Sequence, residues 1–133
     1  MMDDIPEEYR VNGEFHFLKM MAQEIEKAEY PPGSTFRRES MMNVFRKFRI
    51  LFGPIYSDRY LKMKIKSLKK KYQEFSELLN QENIFWNKQN NIVYGNDQLL
   101  NERYMARYRN GVFIGERNYD LMRDVYDRGI NFE

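Results

Sequence analysis

Between Ser57 and Asn80 the chain reads SDRYLKMKIKSLKKKYQEFSELLN. Leu61, Ile65, Leu68, Tyr72, Phe75 and Leu79 recur there at steps of four and three. At 3.6 residues per turn they make one apolar stripe along a helix of about six turns. Ser57 is placed to cap this helix through its hydroxyl, and Asp58 in the first turn suits the positive end of the helix dipole. Two shorter amphipathic segments precede it. From Glu14 to about Glu29, Phe15, Leu18, Met21 and Ile25 mark an apolar face widened by Phe17, Met20 and Ala22, with Glu24, Glu26 and Glu29 outside it. Tyr30-Pro31-Pro32-Gly33 then stops the helix. A second helix is expected from near Thr35 to about Phe52, burying Met41, Val44, Phe45, Phe48 and Leu51. It exposes Arg37, Arg38, Arg46, Lys47 and Arg49. Gly53-Pro54 ends it, and only Ile55 and Tyr56 separate that break from Ser57. Two helices joined by a short turn, the second one basic, make a helix-turn-helix.

The carboxyl-terminal half is less periodic. Asn80 to Asn91 reads as a polar loop whose Phe85-Trp86 pair folds back on the core, followed by a short extended stretch to Tyr94. Gly95-Asn96-Asp97 opens a fourth helix with Leu99, Leu100, Tyr104 and Tyr108 inward, ending at Asn110-Gly111. Val112 to Glu116 is a short apolar connection. A last helix from about Asn118 to Arg128 presents Leu121, Met122, Val125 and Tyr126. The expected fold is therefore all-α, a three-helix core with a long third helix plus two carboxyl-terminal helices. Its expected divisions are an acidic flexible leader (1–13), the core (14–80) and an extension packing on that core (81–133). Phe15, Phe48, Leu61, Leu68, Tyr72, Phe75 and Trp86 are the residues expected to define the interior.

Composition changes the picture through charge. The chain of 133 residues is 42% hydrophobic, enough for one packed domain, and its net charge is only +2. That small total hides a division. Residues 1–36 hold three basic and eight acidic side chains, residues 37–71 twelve and two, and residues 72–133 seven and ten. A solvated surface mixes signs, whereas the central block is almost purely positive, as a polyanion-binding surface would be. On the long helix, Arg59, Lys62, Lys66, Lys69 and Lys70 share one arc away from the apolar stripe. There is no cysteine, so disulfides and thiolate metal sites are excluded. No apolar run approaches the length of a membrane span. The amino-terminal residues are acidic, where a secretory signal would be basic and then apolar.

Catalytic chemistry is not supported. His16 is the one histidine, lies between two phenylalanines, and by itself builds neither a metal site nor a triad. No phosphate-binding glycine loop is present. Asp97 with Glu102 and Asp120 with Asp124 fall at ordinary helix-start and surface positions. The expectation is a protein that is not an enzyme, with no cofactor, no metal and no small-molecule substrate. The tyrosines and methionines fall mostly on apolar faces, which fits core better than a base-stacking platform.

The run Leu61-Lys62, Lys64, Leu68-Lys69-Lys70, Tyr72, Phe75, Leu78-Leu79 resembles the long third helix of the Myb/SANT-like domain. That family is widespread in plant proteins and in the Myb-like accessory proteins of Harbinger-type transposons. Phe85-Trp86-Asn87 is similar to the aromatic-tryptophan pair that follows this helix in the family. Val93, Asp97 and Tyr119-Asp120 through Val125-Tyr126 resemble its later elements, so the likeness extends from about residue 14 to residue 128. Phe15, Leu99 or Leu100, and Met42 or Val44 stand where the family has tryptophan, which marks a divergent member.

The resemblance implies a nuclear domain that binds double-stranded DNA in transcription regulation or in a transposon-derived complex. The first half of the long helix would enter the major groove, with Arg59, Lys62, Lys66, Lys69 and Lys70 on the DNA and Arg37 and Arg38 clamping the backbone beside it. It equally implies a rival role as a SANT-like adaptor for a chromatin, transcription or transposase partner, with little or no DNA binding.

Overall fold

The computed structural model describes residues 7–132. In chain order the elements are α1 (Glu7–Ala28), α2 (Arg38–Phe52), α3 (Asp58–Leu79), β1 (Ile84–Asn87), β2 (Ile92–Gly95), α4 (Asp97–Arg103), a 3-10 turn (Met105–Arg107), β3 (Tyr108–Arg109), β4 (Val112–Ile114) and α5 (Tyr119–Tyr126). They fall into two compact units, one of the residues up to Lys70 together with those from Asn118 onward, the other Lys71–Arg117.

In the first unit α1 begins at Glu7, ahead of the expected Glu14. The Asn118 side-chain amide donates to the Val11 carbonyl at 3.0 Å and ties down this extra length; residues 1–6 of the expected leader lie outside the described residues. The buried face of α1 is also rotated from the one expected. Phe17, Leu18, Met21 and Ile25 are buried, but Phe15 is 39% exposed, while Glu14 and Glu24 are buried. A carboxylate tolerates burial only with a partner. Glu14 has the Lys64 ammonium, and Glu24 accepts from the Asn43 amide at 3.2 Å. Phe17 stacks on Phe45 and meets Phe48 edge-on, with ring centroids 6.4 and 5.6 Å away.

The second helix starts three residues later than expected because Ser34 to Phe36 pair with the carboxyl-terminal segment. The Phe36 N–H donates to the Asn131 carbonyl at 2.7 Å, and the Asn131 N–H donates to the Ser34 carbonyl at 2.8 Å. The Arg37 side chain makes no cap. In its place the Tyr30 hydroxyl accepts from the Arg37 N–H at 2.9 Å and donates to the buried Ser40 hydroxyl at 2.7 Å. Leu51, expected inward, is exposed. The third helix matches its periodicity. Ser57 Oγ accepts from the Tyr60 N–H at 3.1 Å, as capping requires, and Leu61, Ile65 and Leu68 are buried. Tyr126, on α5, donates its hydroxyl proton to the Ile65 carbonyl at 2.7 Å.

The second unit corrects the all-α expectation. It contains a four-stranded antiparallel sheet in the order β1-β2-β4-β3. The Phe-Trp pair lies in β1, where successive side chains point to opposite faces, so it divides. Trp86 is half-buried, edge-on to Phe75 at 5.0 Å, whereas Phe85 is exposed and stacks across the strands on Tyr94 at 5.5 Å. Asn91, itself buried, accepts from the Trp86 indole N–H at 2.9 Å and donates to the Gly115 carbonyl at 3.1 Å. A Cβ at residue 115 would lie 2.3 Å from the indole nitrogen, so glycine is required there.

The expected fourth helix also stops early. Asn96 caps α4 by accepting from the Leu99 N–H at 3.1 Å, but the helix ends at Arg103. Asn110 and Gly111, with φ of 51° and 88°, form the tight turn between β3 and β4. Two consecutive residues of positive φ suit a type I′ hairpin turn, for which Asn-Gly is the favoured pair. Tyr108, expected inward on a helix, is a partly exposed strand residue.

Two phenols link this packing to pH. Burial pushes the Tyr126 hydroxyl well above the ordinary tyrosine value, with the Glu14 charge adding to the effect. Burial likewise raises Tyr104 to about 12. Both favour the folded state fully below about pH 10, where an unfolded tyrosine begins to ionise, and that contribution is lost as pH rises further. Tyr126→Phe should cost about 1 kcal/mol at neutral pH through the lost hydrogen bond. It should also make the fall in stability above about pH 10 shallower in urea titrations. An unchanged alkaline slope would show that Tyr126 is not held in its protonated form.

Candidate nucleic-acid interface

Gly53, at φ 116°, lets the chain leave α2, and its N–H donates to the Arg49 carbonyl at 2.8 Å. The turn that follows is held from both sides. The Arg49 Nε donates to the Tyr56 carbonyl at 2.6 Å, and the same guanidinium pairs with the Asp58 carboxylate. The hydrogen bond from Arg49 is the main reason the Asp58 carboxyl is held below its usual range, and the charges of Arg49, Lys62 and Arg38 add to it. This contribution is present above the ordinary carboxylate pKa and is lost as pH falls through the depressed value. Phe48, Tyr56 and Tyr60 continue the contact as a ladder of rings at 5.3 and 5.6 Å. Arg49, read from sequence as part of the exposed basic face, is instead a brace across the helix-turn-helix.

On α3 the burial of Leu61, Ile65 and Leu68 leaves Arg59, Lys62, Lys66 and Lys70 exposed, with Lys69 half-buried. At 100° per residue, Arg59, Met63 and Lys70 lie within about 20° of the line opposite Leu61, and Lys66 within about 40°. Lys62 and Lys69 lie toward one flank. Arg59, Lys62 and Lys66 form no ion pair among the described residues. At the start of α2, Arg37 and Arg38 are exposed, and the Arg37 guanidinium sits 4.4 Å from the centre of the Tyr30 ring, a cation–π contact that restrains it. Arg38 reaches the same neighbourhood electrostatically as Lys62, because both act on Asp58. All seven cations expected at the interface belong to the first unit.

Of the residues expected to define the interior, Phe48, Leu61, Leu68 and Phe75 are buried and Tyr72 and Trp86 half-buried, while Phe15 is exposed. Among the described residues no group of three or more metal-ligating side chains occurs, and no helix is long and apolar enough to cross a membrane. Sequence reasoning missed the Glu14–Lys64 pair. Its signal was present, since Glu14 falls three and four residues before the buried Phe17 and Leu18, on the same face of α1.

The family described as the Myb/SANT-like DNA-binding domain matches residues 10–102. The chain belongs to that family. Comparison with curated proteins and with solved structures returned no match. The Myb/SANT-like match runs from within α1 to within α4, so the β3–β4 hairpin and α5 lie beyond it. It thus takes in the helix-turn-helix and every cation expected at the interface. The likeness read into Tyr119 through Tyr126 falls outside the matched span.

The Lys64 and Glu14 side chains are only 14% and 5% exposed, so losing one takes from the other a charge partner that it meets largely away from water. Glu14→Ala should destabilise this Myb/SANT-like domain by about 3 kcal/mol, and Glu14→Leu combined with Lys64→Met should recover most of that loss. Urea denaturation of the three proteins tests it. A mild effect of Glu14→Ala alone would show that water reaches the pair.

Proposed function

We propose that this domain binds double-stranded DNA in the nucleus, serving transcription regulation or a transposon-derived complex. The first half of α3 is the element that enters the major groove. The observation that carries this reading is the separation of the two sides of α3. Leu61, Ile65 and Leu68 of its apolar stripe are buried, Arg59, Lys66 and Lys70 stand exposed on the other side, and Lys62 is exposed toward the flank. Lys62 and Lys69, toward the flank, suit the phosphates of a groove wall. Arg37 and Arg38 suit the backbone beside it, and the family match supports DNA as the polyanion. Lysine carries a point charge with poor bidentate geometry, so most of the affinity comes from phosphates.

If about six phosphates are neutralised, affinity for a random-sequence duplex falls on the order of 10³-fold between about 50 and 200 mM salt. Fluorescence anisotropy across that range should show this. Lys62 and Lys66, both exposed and in no ion pair among the described residues, changed together to glutamate should abolish binding without altering the thermal transition. A flat salt response would defeat the proposal.

A second reading, a SANT-like adaptor for a protein partner, is favoured by one observation in the second unit. Phe85 and Tyr94 are 51% and 53% exposed and stack on each other across β1 and β2. Such a partner would survive the charge reversals on α3 and be lost with Phe85→Ser and Tyr94→Ser.

A further inference from the structure

Met63 stands 61% exposed among the cations of α3. Single exposed apolar residues are common, and it is the position that is informative here. At 100° per residue, Arg59 and Met63 lie about 20° either side of the line opposite Leu61. They are therefore the two side chains of the helix's first half that project most directly away from the core. Lys62 lies toward the flank, and Lys66 and Lys70 come one to two turns later. In a helix that enters the major groove, the amino-terminal residues opposite the core reach base edges, and flanking cations meet the backbone.

The two side chains have different chemistry. Arginine offers a planar fork that matches guanine N7 and O6, which a lysine does not. Methionine carries no charge for a phosphate. It has a flexible, polarisable thioether that packs against an apolar group, and the thymine methyl is the apolar group of the major groove.

Resting on the DNA-binding reading above, we infer that Arg59 and Met63 are the base-reading pair of this domain. Arg59 reads a guanine and Met63 reads the methyl of a nearby thymine. Four residues of helix advance about 6 Å and each base step about 3.4 Å, so the two bases stand about two steps apart when the helix lies along the groove. The lysines supply affinity and this pair supplies preference. The substrate class is a duplex containing that guanine–thymine spacing.

Sites selected from a random duplex library by the wild-type protein test the inference, followed by single-atom changes in the selected site. Replacing thymine by uracil removes only the methyl and should weaken wild-type binding about fourfold. Replacing guanine by 7-deazaguanine removes one acceptor of the fork and should weaken it about fivefold or more. Met63→Ala should bind the thymine and uracil sites equally. Arg59→Ala should bind the guanine and 7-deazaguanine sites equally. Each variant should keep its sensitivity to the other base. Both changes are at exposed positions, and unchanged thermal transitions would confirm that the fold is intact.

Variants as sensitive as the wild type to both analogues would overturn the assignment. So would a selected site lacking this pair of bases, or binding without any base preference. Failure of the wild type to bind random duplex at about 50 mM salt is a separate result. It defeats the DNA-binding reading itself, and this inference with it.

Discussion

Leu61, Ile65 and Leu68 are buried, and this sets the rotation of α3 about its own axis. Removing each from water contributes roughly 1.5–3 kcal/mol. Turning the helix by one residue, about 100°, would bring these side chains toward solvent and drive lysines inward. The direction in which Arg59, Lys62, Met63, Lys66 and Lys70 point follows from this restraint. A basic surface with a defined geometry is thus a consequence of core packing. No contact among the cations themselves is needed to create it.

Polar groups drawn into the interior complete the restraint. Glu14 meets Lys64, Glu24 meets Asn43, and Tyr126 reaches the Ile65 carbonyl. Each of these joins two different elements, and each would be costly to lose, because a buried polar atom forgoes its hydration and needs protein contacts to offset that. The Arg49 brace does the same for the turn, fixing the step from α2 to α3 through the Tyr56 carbonyl and the Asp58 carboxylate. The long helix is therefore held along its first turns from α1, α2 and α5. A helix that must present side chains to a groove benefits from such rigidity, since loosely held contacts lose affinity to ordering.

The same packing sorts one charge-rich segment into different roles. Lys64 and Arg49 come from the same positive block as Lys62 and Lys66, yet Lys64 is taken up by a buried carboxylate and Arg49 by a turn. The cations left exposed lie opposite the stripe or toward its flank. In the second unit, acidic and basic side chains occur in equal number over residues 71–117. That unit carries an exposed aromatic pair and no positive block, so any contact it makes would differ in chemistry from that of α3.

Much of the first unit was legible in the chain. The apolar period of α3, the Ser57 cap, the Gly53-Pro54 stop and the positive block are local signals, and local signals survive folding when a helix is long enough to repeat them. In α1 the face carrying Leu18, Met21 and Ile25 was legible, but its edge was not, because acidic residues read as outward and only Lys64 and Asn43, on other helices, make Glu14 and Glu24 fit for the interior. Of the sheet, only the extended stretch to Tyr94, which is β2, was legible. Its strands are two to four residues long, too short for alternation to stand out. Asn110-Gly111 serves a helix end and a hairpin turn equally well until the strands on either side find each other. What the sequence determined by itself was the long amphipathic helices and the charge they carry. Which polar groups go inside, and that β1 to β4 pair at all, was decided only by tertiary structure, because a buried charge and a short strand are each stable only in the presence of a partner that lies elsewhere in the chain.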